Sequence, residues 1–160
     1  MEIIIEHRVT WLCSQVNKND RLLDVGTAEN PVWYEYTNIV TVDIDPKVQP
    51  DIIADAEQLP IGDKRFDVVC LGEILEHLQT QKALQEAKRI AKKSVLMSVP
   101  NEYLWPITLK PFQNPGHVRF YMVETFEEEM KKVGFKNLYM YQCDYHGWSW
   151  FVAKGETKEM

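Results

Sequence analysis

Four residues in this chain have types and spacing suited to chemistry: Glu73, Glu76 and His77, at relative positions i, i+3 and i+4, and His117 further on. If the segment carrying the first three is helical, their side chains share one face. Carboxylates and imidazoles grouped in this way accept and pass protons near neutral pH. Two of each could also hold a divalent cation, which makes a bound hydroxyl acidic. A second set stands where apolar runs end: Asp24, Gly26 and Thr27; Asp43 and Ile44; Asp55 and Ala56; and Gly72. A glycine at such an end allows close approach of the backbone to a ligand.

The elements that must position these residues alternate. Ile5, Val9, Leu12 and Val16 have helical spacing and predict an amphipathic helix ending near residues 17–20. Leu22, Leu23 and Val25, closed by Gly26, read as a buried parallel strand. Further strands are expected at 39–44, at 51–54, at 66–71 before Gly72, and at 94–99 before Pro100. A helix over about 80–92 carries Ala83, Leu84, Ala87, Ile90 and Ala91 on one face, with Lys92 and Lys93 at its C-terminus. Another spans about 123–133, facing Val123, Phe126, Met130 and Val133 inward, with Gly134 as its cap. The run Glu127-Glu128-Glu129 reads as its solvated face. Residues 137–145 and 148–153 form two β-rich runs separated by His146-Gly147, a hairpin signal. Strands alternating with helices imply a parallel sheet covered on its faces.

A chain of 160 residues is the length of one domain and is read as a single domain over 1–160. With 45% hydrophobic and 26% charged residues it is of globular type, and no apolar run is long enough to span a bilayer. A cytoplasmic location is expected. Cys13, Cys70 and Cys143 are widely spaced and odd in number, so neither a disulfide framework nor a thiolate zinc site is indicated. A net charge of −6 argues against strong non-specific binding to nucleic acid, which needs clustered cations. The pattern leaves the oligomeric state open.

Four stretches in register give a resemblance: Leu22-Leu-Asp-Val-Gly26, Val42-Asp-Ile-Asp-Pro46, Asp55-Ala-Glu-Gln-Leu-Pro60 with Phe66-Asp-Val-Val69, and Glu73-Ile-Leu-Glu-His-Leu78. Their order and spacing over about residues 20–135 resemble the class I S-adenosylmethionine-dependent methyltransferases, near the small type 11/12 domains. The resemblance implies an α/β fold: a Rossmann-like, seven-stranded, mostly parallel sheet with helices on both faces and a C-terminal antiparallel hairpin. It implies a cofactor site at the carboxyl ends of the strands, built from Asp24, Gly26, Thr27, Asp43, Ile44, Asp55, Ala56 and Gly72. In it Asp43 would accept hydrogen bonds from both ribose hydroxyls. Asp55 would accept from the adenine amino group, and Asp24 would support the loop and the methionine amino group. Asp45 and Asp67 read as turn and strand-start residues.

The implied activity is methyl transfer to an oxygen or nitrogen of a small-molecule acceptor, with His77, His117 and Glu73 as catalytic candidates. Glu-x-x-Glu-His with a later His also resembles the metal site of small-RNA 2′-O-methyltransferases, which makes metal-assisted RNA methylation an alternative. Relatives without metal use the same Glu to cap a helix and the His to line the pocket. The expectation here is therefore no metal, with Glu73, Glu76, His77 and His117 as the residues that would hold one. One departure is evident. The family loop G-x-G-x-G is Gly26-Thr-Ala-Glu-Asn30 here, with Ala28 and Asn30 in glycine positions. That is tolerable for a cofactor without phosphate but not for NAD, and it leaves a non-catalytic cofactor-binding module as a further alternative. The spacing from Asp24 to Asp43 leaves room for only a short helix, and that from Asp45 to Asp51 for none, so the cofactor groove is expected to be open. Residues 101–120, rich in Pro and aromatics, are expected to form a lid. Arg119 reads as a substrate anchor or an ion-pair partner.

Overall fold

A computed structural model of the protein describes residues 1–28, 32–33, 35–104 and 116–157. Asn30, Pro31 and the middle of the expected lid, residues 105–115, lie outside the described residues.

The strands are β1 (Glu2–Ile4), β2 (Leu22–Val25), β3 (Ile39–Asp43), β4 (Ile52–Ile53), β5 (Phe66–Gly72), β6 (Ala91–Pro100), β7 (Asn137–Tyr145) and β8 (Trp148–Glu156). The α-helices are α1 (Arg8–Ser14), α2 (Lys82–Ile90) and α3 (Val123–Lys132). One eight-stranded sheet runs in the order β1-β7-β8-β6-β5-β2-β3-β4. Its β1–β7, β6–β5, β5–β2, β2–β3 and β3–β4 pairs are parallel, and β8 is antiparallel to both β6 and β7. After β4 the chain returns across β3 and β2 to enter β5, so strand order reverses between β2 and β5. That reversal opens a crevice at the carboxyl ends of the strands.

Alternation along the buried strands feeds two cores. On one face Leu23, Val25, Val69, Leu71, Val95 and Met97 pack against Ala83, Leu84, Ala87 and Ile90 of α2 and Phe126 and Met130 of α3. On the other, Leu22, Val68, Cys70, Leu96, Trp150 and Val152 pack against Trp11 and Leu12 of α1 and against Trp33. Truncating one of these fully buried leucines to alanine costs about 2–5 kcal/mol. The expected architecture is present, including the C-terminal hairpin. His146 and Gly147 both take positive φ, +48° and +83°, as a two-residue turn matching the strand twist requires.

Several local expectations are corrected. The sheet has eight strands rather than seven, because Glu2–Ile4, which the sequence pattern assigns to no element, pair with β7 and cover what would otherwise be an open edge. Helix α1 therefore begins only at Arg8, where the His7 Nδ1 accepts from Val9 N at 3.3 Å. Among the described residues between β2 and β3 there are turns and no helix, and Trp33 fills the space beside Asp24. Helix α2 ends at Ile90, so Lys92 and Lys93 lie in β6, where Lys93 Nζ meets Asp20 Oδ1 at 2.5 Å. Glu129 is not solvated. It is buried, and Arg119 Nη1 donates to both of its carboxylate oxygens at 2.9 Å.

Candidate functional site

The site begins with the loop that follows β2. Gly26 turns there with φ +77°, and a Cβ on it would stand 2.6 Å from Ile74 Cδ1. The glycine thus serves close contact with the opposite wall as well as the turn itself. Ala28, in a glycine position of the family loop, also takes positive φ, +51°. Its N–H donates to Asp43 Oδ2 at 3.1 Å. Asp43 Oδ1 accepts from Asp45 N at 2.9 Å, which holds the carboxylate at the mouth of the strand. Asp45 itself caps the turn at Pro46, accepting from Lys47 N, and Asp67 accepts from Arg21 N at 2.9 Å, both as expected.

A cleft of about 400 Å³ opens over these strand ends. Gly26, Asp43, Ile44, Asp55, Ala56, Glu73 and His77 line it together, with Val25, Ala28, Val42, Ala54, Ile74 and Leu78 supplying apolar walls. Asp55 uses one oxygen to accept from Glu57 N at 2.8 Å. Ile44 is largely exposed on the rim, at 69%, as an open groove requires.

Other candidates stand behind the lining. Asp24 is buried, and Trp33 Nε1 donates to its Oδ1 at 3.2 Å. Burial pushes the Asp24 carboxyl up to about 6, although hydrogen bonds from Thr27 and Trp33 oppose the rise. Thr27 is buried beside it. Gly72 ends β5 against Cys70 Sγ and Ser98 Oγ rather than on the cleft wall. Arg119, beyond its bond to Glu129, donates through Nη2 to Leu75 O at 2.8 Å, so it braces the turn carrying Glu76 and His77 instead of facing a substrate.

The acidic and imidazole group divides in two. Glu73 takes φ +56°, a left-handed conformation that costs a non-glycine residue about 1 kcal/mol or more. It faces Arg8 Nε at 3.8 Å, and burial raises its carboxyl despite that cation. Leu75–His77 form a single 3-10 turn, so Glu73, Glu76 and His77 do not share a helical face. Glu76 is buried at 1% exposure, and its pKa is raised well above the usual carboxylate range by burial and then by Glu73. Its backbone carbonyl accepts from Val118 N at 2.8 Å and Arg119 N at 3.1 Å, pinning His117 next to His77. The two rings meet edge-on with centroids 4.7 Å apart. His77 Nδ1 bonds Gly116 O at 2.9 Å. A carbonyl only accepts, so Nδ1 carries the proton and Nε2 the lone pair. Burial lowers the His77 pKa, which keeps the ring neutral near pH 7.

Sequence reasoning missed Arg8, Trp33 and Glu102, the last bonded through Oε1 to His117 Nδ1. Arg8 carries no signal in the sequence, because its place beside Glu73 follows from the pairing of β1. Glu102 lies two residues past the end of β6, at the same carboxyl-end side of the sheet as Asp43, and a search of the loops just beyond strand ends could have found it.

The sequence pattern of a methyltransferase-domain family matches residues 6–140. No curated protein matches the chain. Among solved structures the fold is similar to a SAM-dependent methyltransferase of Archaeoglobus fulgidus, with TM-score 0.72 and 15% identity over 93% of this chain and 91% of that one. A SAM-dependent methyltransferase of Thermotoga maritima aligns with TM-score 0.71 and 17% identity over 94% and 87%. The Haemonchus contortus phosphoethanolamine N-methyltransferase 2, solved with phosphomonomethylethanolamine and S-adenosylhomocysteine, aligns with TM-score 0.73 and 12% identity over 95% of this chain and 53% of that one. With the matched family pattern and a cleft at the reversal of strand order, the chain belongs to the class I S-adenosylmethionine-dependent methyltransferases.

Proposed function

We propose that this chain transfers the S-adenosylmethionine methyl group to an oxygen or nitrogen of a small molecule, and that Asp43 holds the cofactor's ribose. The observation carrying this reading is that Asp43 and His77 line one cleft. Asp43 keeps two backbone donors and retains lone pairs for the two ribose hydroxyls. Asp55 is assigned to the adenine amino group, and Asp24, with Thr27 beside it, to support of the loop and the methionine amino group. Gly26, Ile44 and Ala56 frame the adenosine.

Transfer is an in-line displacement. The nucleophile forms a bond to the methyl carbon as the sulfonium C–S bond breaks, and the bonding pair stays on sulfur as a thioether. The acceptor's proton passes to His77 Nε2, whose neutral tautomer is set by Gly116. His117 orients the His77 ring edge-on, and Glu73 borders the cleft near Arg8. A small acceptor suits the net charge of −6, which disfavours a phosphate backbone as partner. The three cysteines are free thiols, which suits the reducing cytoplasm. Among the described residues no helix is long and apolar enough to cross a membrane.

Calorimetry with S-adenosylhomocysteine tests the reading. Binding at one site per chain is expected, and a crystal structure of the complex should place the ribose on Asp43. A chain that binds neither S-adenosylmethionine nor S-adenosylhomocysteine cannot carry out this reaction.

A further inference from the structure

We infer that the methyl acceptor is an amine, held as its ammonium ion by Glu73 and Glu76 beside His77. The inference rests on the methyltransferase reading and narrows its acceptor atom from oxygen or nitrogen to nitrogen. Among the described residues, three buried oxygens at this place have no hydrogen-bond partner: Glu73 Oε1, Glu76 Oε2 and Ser98 Oγ. Ser98 is fully buried on β6, opposite Gly72 in the register, and Glu73 N donates to its carbonyl at 2.9 Å. Its hydroxyl is near enough to the Glu73 carboxyl to offset part of the rise that burial causes there. Glu76 follows in the 3-10 turn, close enough for the Glu73 charge to act on its carboxyl. Protonation does not relieve Glu76, because an O–H on Oε2 would be as unpartnered as the bare oxygen. Polar atoms left buried in this state are costly and are completed by solvent or by a ligand.

Charge selects the ligand. Arg8 Nε stands 3.8 Å from Glu73 Oε1 and balances one carboxylate. Arg119 is committed to Glu129 and to the Leu75 carbonyl. Glu102 is engaged by His117, and the His77 ring is neutral near pH 7. One negative charge of the Glu73–Glu76 pair is therefore left over. An ammonium group brings one positive charge and only N–H donors, which suits a set of acceptor oxygens. An alcohol brings no charge, and a carboxylate or phosphate brings the wrong one. Arg8 Nε and Nη1 also have no hydrogen-bond partner, so an anionic acceptor is the competing occupant that the test must include.

His77 completes the step. Its Nε2 carries the lone pair and lies 4.0 Å from Glu76 Oε1, so a nitrogen held by the carboxylate is within reach of the ring. An ammonium ion has no lone pair with which to attack. It passes one proton to Nε2, and the freed pair forms the bond to the methyl carbon as the C–S bond breaks with its electrons left on sulfur. The methylated nitrogen is again an ammonium, and the same carboxylates balance it.

The test is calorimetry of the full chain, saturated with S-adenosylhomocysteine at pH 7, against three probes of equal length: n-butylamine, which is protonated at that pH, 1-butanol and butyrate. Butylamine should bind at one site per chain, at least about tenfold tighter than either other probe. Glu76→Gln keeps the shape of the side chain and removes its charge. It should weaken butylamine at least about tenfold while S-adenosylhomocysteine binds as it does to the wild type. Absence of butylamine binding to the wild type overturns the inference whether or not the variant folds. Butanol or butyrate binding as tightly as butylamine overturns it too, the latter by making Arg8 the anchor. Butylamine binding that Glu76→Gln leaves unchanged overturns it as binding elsewhere. Cofactor binding without a preference for the amine ends this inference and spares the methyltransferase, whereas failure to bind S-adenosylhomocysteine ends both.

Discussion

The backbone N–H of Ala28 donates to Asp43 Oδ2 at 3.1 Å, so the loop after β2 is tied to the residue that ends β3. The bond forms because Ala28 turns back with φ +51°. Replacing Ala28 by glycine removes a left-handed strain of about 1 kcal/mol while keeping the donor. Thermal unfolding should rise by about 2–4 °C, with S-adenosylhomocysteine affinity no weaker than in the wild type. A lowered melting temperature would show that the alanine is not strained.

Asp43→Ala should weaken S-adenosylhomocysteine binding by at least about 1.5 kcal/mol, roughly tenfold or more in Kd, the cost of losing charge-assisted hydrogen bonds. Calorimetry reads this directly. An unchanged affinity would assign the ribose to another group.

Asp24 makes stability depend on pH. Its folded pKa of about 6 lies above the ordinary 3.8. The folded chain therefore holds this proton more tightly than the unfolded chain. The resulting stabilisation is fully present below about pH 3.8 and is lost as pH rises through 6. The loss amounts to about 3 kcal/mol. Asp24→Asn should accordingly gain on the wild type in urea unfolding between pH 4 and about 6.5. A difference that is flat across this window would show that Asp24 does not titrate there.

The Arg119–Glu129 pair should be structural. Arg119→Met leaves a buried carboxylate without its guanidinium and takes the guanidinium donors from the Leu75 carbonyl, which keeps only its bond from Leu78 N. Because Arg119 remains partly exposed, solvent screening limits the expected loss to about 2 kcal/mol, or several degrees in melting temperature. Glu129→Gln should lose less, since the amide still accepts one bond. Equal stability of Arg119→Met and the wild type would return Arg119 to the list of substrate anchors.

Much of this site is legible in the sequence because strand ends are. Gly26, Asp43 and Asp55 close apolar runs, and parallel strands deliver such residues to one crevice. The failures have physical causes. Glu129 sits within an acidic run, and only its tertiary neighbour, Arg119, shows that this position faces inward. Ile3 and Ile4 suit a helical or an extended chain, and β7 decides between them by offering an unpaired edge. The spacing of Glu73, Glu76 and His77 implied a common helical face, but the segment makes only one tight turn. The imidazole pair is gathered instead by two backbone bonds from a segment about forty residues away.

The pairing of β1 with β7 joins two segments that lie far apart in the sequence. Glu2 stands opposite Tyr141, so this ladder is among the least local contacts of the sheet, the kind that costs most loop entropy to form. Arg8 opens α1, a short turn beyond β1, and reaches Glu73 from there. The cation beside the cofactor cleft is therefore tied to the edge of the sheet farthest from Asp43, and a change that loosens β1 would reach Glu73 through Arg8.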